Sequence, residues 1–439
     1  MRHLALALVV ALSVVPGCKS RSSDGGGGSP PPPPPPGFPV IGLVVSTTTP
    51  RIWQPVTFDA RTTTGDPVLA FAWSFGDGTT GAGREITHQY VQPGTYSATL
   101  SVTNPVGTAS QMVSITVAAE AAPSMTYRSQ FALSNCGGLW GNGNFAYVPR
   151  LSPAQIHIMD CTNATAPVQS SVVTGILAPR ECRIFGGHYM VGGSEPQVGG
   201  FSWTITDVAN PAAPVVIGSF GPGLAASHTV GVWDNMVIVN TSRTAAPQVV
   251  MYDVSDPTSP VQVGTWSGSA AGVHDSQRVG NKLYVAALGD GFFILDVTNP
   301  GAPTQIVHKT YMGAFCHNIW PSKDGTHVFT TDENAGGHLR VWNVTDPMSV
   351  VEVGSWFPGA TSAIIHNVIV VGDYAYVAHY KYGFVVLDVS NPATPTQVYR
   401  YDTYPLDDTS GYNGAWMIYP FGDRVYVSDL ANGLFVFTK

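Results

Sequence analysis

Charge is what this chain has least of. Only 11% of its 439 residues are Asp, Glu, Lys or Arg, against about 25% in globular chains. That excludes a coiled coil, a charged helical bundle or a polyelectrolyte tail. With 20 Lys plus Arg and a net charge of −8, no basic footprint exists, and nucleic acid is excluded as a partner. The apolar run Leu4–Val15 stops at twelve residues, short of the roughly 20 that span a bilayer. Cysteine is scarce, with five in all. Glycine and proline are abundant instead, 83 residues together, beside a hydrophobic fraction of 44%. Many turns and ample core material favour an all-β chain of two or more domains.

The N-terminus reads as an address. Met1-Arg2-His3 precedes the apolar run, and Val15-Pro16-Gly17-Cys18 follows it. A positive start, a short apolar segment and a small-residue cleavage site make a signal peptide. A small residue directly before Cys18 resembles a bacterial lipobox, so residues 1–18 are expected to be a lipoprotein signal with Cys18 as the lipidated residue. Ordinary signal-peptidase cleavage nearby is the alternative. Lys19 rather than Asp follows the cysteine, which points to the outer membrane of a Gram-negative bacterium. Residues 19–39 form a tether, with flexible Gly25–Gly28 and a stiff polyproline II run, Pro30–Pro36.

Residues 40–118 alternate apolar and polar positions between turn signals. Val56-Thr57-Phe58 and Tyr96–Val102 have strand period. Trp73-Ser74-Phe75-Gly76-Asp77-Gly78, then His88-Gln89-Tyr90 and Pro93-Gly94-Thr95-Tyr96, together resemble a PKD domain. That resemblance implies an immunoglobulin-like sandwich acting as a spacer or a contact module. Asp77 is expected to cap its turn, and His88 to pack beside a strand.

From residue 124 to 439 the chain repeats one sentence. Six variants are Ile156–Asp160, Thr204–Val208, Val249–Val254, Phe293–Val297, Arg340–Val344 and Val385–Val389, and Leu434–Thr438 is a seventh. The marker Asp stands at 160, 207, 253, 296 and 388, replaced by Asn343 in one repeat. Turns such as Ser255-Asp256-Pro257 and Thr298-Asn299-Pro300 follow it. Four short strands in about 45 residues are the content of a propeller blade, so 124–439 is expected to be a seven-bladed β-propeller. Met125–Phe131 would supply the missing outer strand of the last blade and remove its exposed edge. The marker Asp is expected to accept turn N–H groups rather than bind metal. The repeats resemble the LVIVD family of bacterial surface propellers. Val273-His274-Asp275, His366-Asn367, Asp402–Pro405 with Asp407-Asp408, Gly414-Ala415-Trp416 and Val427–Asp429 resemble the choice-of-anchor B branch. The resemblance implies a fold and a surface location more than a reaction.

The sharpest functional signal is a histidine register. His228, His274 and His366 each stand six residues before the turn residues Asp234, Gly280 and Gly372. His317 holds the matching place in blade five, with Arg180 and Trp416 near it in blades two and seven. First strands of propeller blades line the central channel, and the next inter-strand loops open at the same mouth. Those loops carry Asp290, Asp332-Glu333 and His379–Tyr382, while Asp407-Asp408 lie on the connection into blade seven. The expected mouth set is His228, His274, His317, His366, Asp332, Glu333 and Asp408, supported by Arg180, Trp416, Asp275 and His379. Imidazole and carboxylate together suit a divalent metal such as Zn, Fe or Mn, and also acid–base chemistry. They equally suit a wet polar channel with no ligand at all.

Exported cysteines can oxidise. Cys136 and Cys182 fall in the inner strands of adjacent blades, and their bridge is one of three pairings open to Cys136, Cys161, Cys182 and Cys316. No nucleophile elbow, H-E-x-x-H or nucleotide loop is present. The leading expectation is an exported, lipid-anchored binding or scaffold protein. Its partners are the membrane, through the N-terminal lipid, and a ligand, metal, protein or carbohydrate at the mouth. The alternatives are a metal-dependent hydrolase or lyase using that mouth, and a surface adhesin.

Overall fold

The computed structural model describes residues 37–439 except 66–68, 177–178, 199–200, 222–223, 225–226, 242–245, 247 and 360–361. The signal segment with Cys18, and the tether up to residue 36, lie outside the described residues. The described residues are all-β, as expected, and form two compact units, of which the second includes Ala119–Lys439.

The first unit is an immunoglobulin-like sandwich. Its four-stranded sheet runs Thr80–Ala82, Ala70–Ser74, Gly94–Asn104 and Gly107–Val117. The three-stranded sheet runs Val44–Val45, Pro55–Asp59 and Glu85–Gln89. Alternation sends Val56, Phe58, Trp73, Leu100 and Val102 into the core. Asp77 caps its turn by accepting the Thr79 N–H at 3.0 Å. It also pairs with the buried His88 Nε2 at 2.8 Å, while the His88 ring stacks on Phe75. His88 therefore ties the turn to the opposite sheet as well as filling space.

The second unit is a seven-bladed propeller, one four-stranded antiparallel sheet per repeat. The inner strands are Trp140–Asn142, Pro179–Phe185, Thr229–Trp233, Asp275–Val279, Cys316–Pro321, Asn367–Val371 and Ala415–Tyr419. Each neighbours the next, and the last returns to the first, where Trp140 packs edge-on against Tyr419. The seventh sheet takes its outer strand from Thr126–Phe131, which pairs antiparallel with Gly433–Thr438. Closure therefore joins two chain segments some 300 residues apart.

Core side chains sit between blades. Ile238, Val249 and Met251 of blade three cluster with Leu283, Val285, Phe293 and Leu295 of blade four. Tyr284, Phe292 and Ile294, on the other face of blade four, pack on Ile319, Val328 and Trp342 of blade five. Both faces of each sheet are buried, which explains why the central strands are apolar at consecutive positions. The marker residues cap their turns: Asp160, Asp207, Asp253, Asp296, Asn343 and Asp388 each accept the N–H two residues on, at 2.8–3.0 Å. Asn343 retains that bond because only an acceptor oxygen is required.

The outer strands show why the repeat carries Val-x-Val-Gly. A Cβ on Gly264 would collide with the Pro300 carbonyl in the next blade's turn, and one on Gly354 with the Pro392 carbonyl. Gly264→Ala and Gly354→Ala are each expected to cost about 1–3 kcal/mol through forced overpacking. Gly289→Ala, whose Cβ would meet only Ala271 at 3.6 Å, should stay within about 0.5 kcal/mol of the parent. Denaturant unfolding of the three variants checks this; equal losses at all three would refute the packing explanation.

Candidate functional site

The inner strands begin at one mouth of the channel, and the register set by the turns brings the histidines to a common level. Thr229, Asp275 and Asn367 open their strands opposite Asn240, Ala286 and Ala378. The residue just before each is His228, His274 or His366, whose N–H still bonds to the same partner carbonyl. In blades two, five and seven the ladder shifts instead, with Arg180, His317 and Trp416 each the extra residue of the irregularity. A bulge re-aims the side chain it carries. Here it restores those three to the level of the histidines despite their different spacing.

Four imidazoles then stand in a row. Ring centroids are 4.1 Å apart for His228 and His274, 3.8 Å for His274 and His317, and 4.2 Å for His317 and His366. The row ends on Trp416, 4.9 Å from His366. Glu333 faces its centre. Its Oε2 lies 3.5 Å from His317 Nε2 and its Oε1 3.7 Å from His366 Nε2. The Tyr380 hydroxyl donates to Oε1 at 2.6 Å. These groups line a cavity of about 270 Å³ with Arg180, Glu181, Thr229, Phe315 and Tyr412. At roughly 30 Å³ per liquid water, it holds an ion with its solvent or a small polar molecule, and it is smaller than the roughly 300–1,000 Å³ of drug-sized pockets.

Burial disfavours charge on two of the rings, His317 and His366. Burial, then the neighbouring imidazoles, hold His317 well below the ordinary histidine range. Burial takes His366 down to about 3, against the opposing pull of its bond to the Trp416 carbonyl. Beneath the row lies a tier of buried polar side chains one residue further along each strand. Burial pushes the Glu181 carboxyl up to about 7 despite Arg183, with which it pairs at 3.2 Å. Asp275 is likewise raised by burial, against the pull of Arg183 and of Asn318, whose Nδ2 donates to it at 2.5 Å. Thr229 donates to the His274 carbonyl at 2.6 Å, and Asn367 to the Trp416 carbonyl at 3.1 Å. Each bond ties one blade to the next and fixes the backbone that carries the row.

Of the expected residues, His228, His274, His317, His366, Glu333, Arg180 and Trp416 line the cavity. Asp332, Asp408, Asp275 and His379 do not. Asp332 is buried and committed elsewhere, accepting from the Tyr311 hydroxyl, the Phe315 N–H and Arg340 Nε. Neighbours on extended backbone point oppositely, so the same alternation that aims Glu333 inward turns Asp332 away. His379 packs against Trp356 and Tyr382 while Tyr380 takes the cavity. Asp275 drops to the lower tier behind His274. Asp408 pairs with Arg400 near the end of its outer strand, and the connection reaches the channel only later, at Tyr412. Glu181, Thr229, Phe315, Tyr380 and Tyr412 were not expected. Glu181 had a signal in its place beside Arg180, and Tyr380 in its place on a mouth loop; Phe315 and Tyr412 had none.

Among the described residues the four cysteines are buried free thiols, and the Cys136–Cys182 bridge does not form. Gly138 pairs in parallel with Glu181, which offsets Cys136 from Cys182 by about three residues, roughly 10 Å. A disulfide needs Cα atoms within about 7 Å.

A PKD domain model matches residues 39–119, and the LVIVD repeat model matches residues 275–308 and 364–403. The chain thus combines a PKD domain with an LVIVD-repeat propeller, domains typical of extracellular or surface proteins. The second matched stretch carries His366 and the first begins one residue after His274; blade one, whose Asn163-Ala164 turn lacks the proline, lies outside them. No curated protein matches the chain.

Burial pushes the thiols of Cys136, Cys161 and Cys182 up to about 12. A raised thiol favours its protonated form in the fold, so this contribution is present below the unfolded value near pH 8.5 and is lost as pH rises toward 12. In a Cys18→Ser chain at pH 8, a thiol reagent should label no cysteine natively and all four in denaturant. Native labelling of any, or fewer than four after unfolding, would contradict the assignment.

Proposed function

We propose that this is an exported, lipid-anchored binding protein of the cell envelope, with the propeller mouth as its receptor site. One observation carries the reading: four buried imidazoles, Glu333 and Arg180 converge on one small cavity at one end of the channel. Gathering desolvated polar groups is costly without a partner, and in this chain charged residues are few. The order of segments supports the address: signal and Cys18, a stiff tether, a PKD spacer, then the propeller. Among the described residues no helix is long and apolar enough to cross a membrane; Cys18 is the attachment assigned by this reading.

The two halves of the reading are tested separately. Cells fed radiolabelled palmitate should label the parent chain, and Cys18→Ser should abolish the label and release the protein from the membrane fraction; unchanged membrane association in that variant would remove the anchor. For the mouth, native mass spectrometry of the full-length protein from detergent should show a small bound species that is absent in Glu333→Ala. Asp408→Asn, outside the cavity, should retain it. A bound species equally present in both variants would place binding elsewhere.

A further inference from the structure

We infer that the mouth is a divalent transition-metal site, with His274, His317 and Glu333 as its protein ligands. This rests on the reading of the mouth as a receptor site and names what it receives.

The first observation is geometric. One ligand atom from each of the three side chains lies within 4.8 Å of the others. A four-coordinate ion with bonds of about 2.0–2.1 Å separates its ligand atoms by roughly 3.3–3.4 Å. The His317–Glu333 pair is already at 3.5 Å, so closing from within 4.8 Å to that ligand separation requires the third donor to move by up to about 1.4 Å, within the reach of side-chain rotation. The three come from different elements: His274 at the head of blade four's inner strand, His317 at the irregularity in blade five's, and Glu333 in the following loop. None depends on another's local conformation.

The second observation concerns ring orientation. His366 Nδ1 lies 2.5 Å from the Trp416 carbonyl. A carbonyl can only accept, so Nδ1 carries a hydrogen and the bond fixes the ring. Its other nitrogen, Nε2, is thereby held 3.7 Å from Glu333 Oε1. His366 is thereby placed as the nearest further donor.

The third is the support behind the ligands. The Tyr380 hydroxyl holds Glu333 Oε1 at 2.6 Å, leaving Oε2, the oxygen nearer His317, to meet the ion. A hydrogen bond of this kind orients a ligating carboxylate.

Two imidazoles and one carboxylate suit Zn2+, Fe2+ or Mn2+, and disfavour Ca2+ and Mg2+, which take oxygen donors. Three protein ligands leave one or more positions open toward the cavity, as in sites that present a metal-bound water or bind an exogenous anion. Arg180, which also lines the cavity, suits an anionic group delivered to that position.

The test uses chelator-treated full-length protein titrated with Zn2+ in a calorimeter. One ion per chain is expected, with affinity falling at least 100-fold in His317→Ala and in Glu333→Gln. Tyr380→Phe should weaken binding by about 10-fold, the lower range for a supporting hydrogen bond, and Asp408→Asn should not change it. Circular dichroism and melting of each variant separate lost ligands from lost folding, and the near-isosteric Glu333→Gln is the decisive variant if His317→Ala is unstable. Substoichiometric Zn2+, or equal affinity in the parent and Glu333→Gln, overturns the site. Should Zn2+ fail while mass spectrometry still finds a species that depends on Glu333, the metal assignment falls and the receptor reading stands. Should neither bind, both fall.

Discussion

The propeller depends on closing a ring. Seven sheets each bury both faces against their neighbours, so an open ring would leave one sheet with an apolar face in water and an unpaired edge. The chain avoids this by making the seventh sheet from both ends of the unit, with Thr126–Phe131 laid against Gly433–Thr438. Tyr127 of that strand stacks on Tyr401 of the sixth blade at 4.8 Å, so the seam is joined through side chains as well as through the ladder. With the ring closed, seven inner strands start at the same mouth, and whatever residue type occupies that level converges with the others.

Convergence by itself would give a ring of like residues. What makes the mouth specific is how the chain departs from its repeat. The shifted ladders at Arg180, His317 and Trp416 bring different residues to one level, and the loop after the second strand of blade five delivers Glu333 to the middle of the row. The tier below is equally irregular: Glu181, Thr229, Asp275, Asn318, Asn367 and Met417 occupy equivalent positions with different chemistry. Their hydrogen bonds cross from blade to blade, as where the Asn318 side chain accepts the Val368 N–H at 2.9 Å. These cross-blade bonds hold the backbone beneath the imidazoles.

Much of this was legible beforehand because propeller geometry repeats. The spacing of the marker Asp determines the blade, the blade determines which strand is innermost, and counting back from the turn locates His228, His274 and His366. Three of the failures share a cause. Asp332, Asp275 and His379 each adjoin a cavity residue, and a one-residue error on extended backbone reverses the direction of a side chain. Asp408 failed differently, because the path of a long connection follows from packing, and Arg400 holds that carboxylate beside the outer strand. Phe315 and Tyr412 lie on segments without strand period, where no register exists to count from.

The sequence alone determined an all-β chain, a PKD sandwich, seven blades, the turn role of the marker Asp and the four-histidine register, because each follows from local period, turn chemistry and repetition. Tertiary structure decided which carboxylate faces the histidines, that the cysteines remain thiols, and that Tyr380 and Glu181 belong to the mouth. Those outcomes turn on side-chain direction and on distances between blades, which are set only when the ring closes and every sheet finds its neighbours.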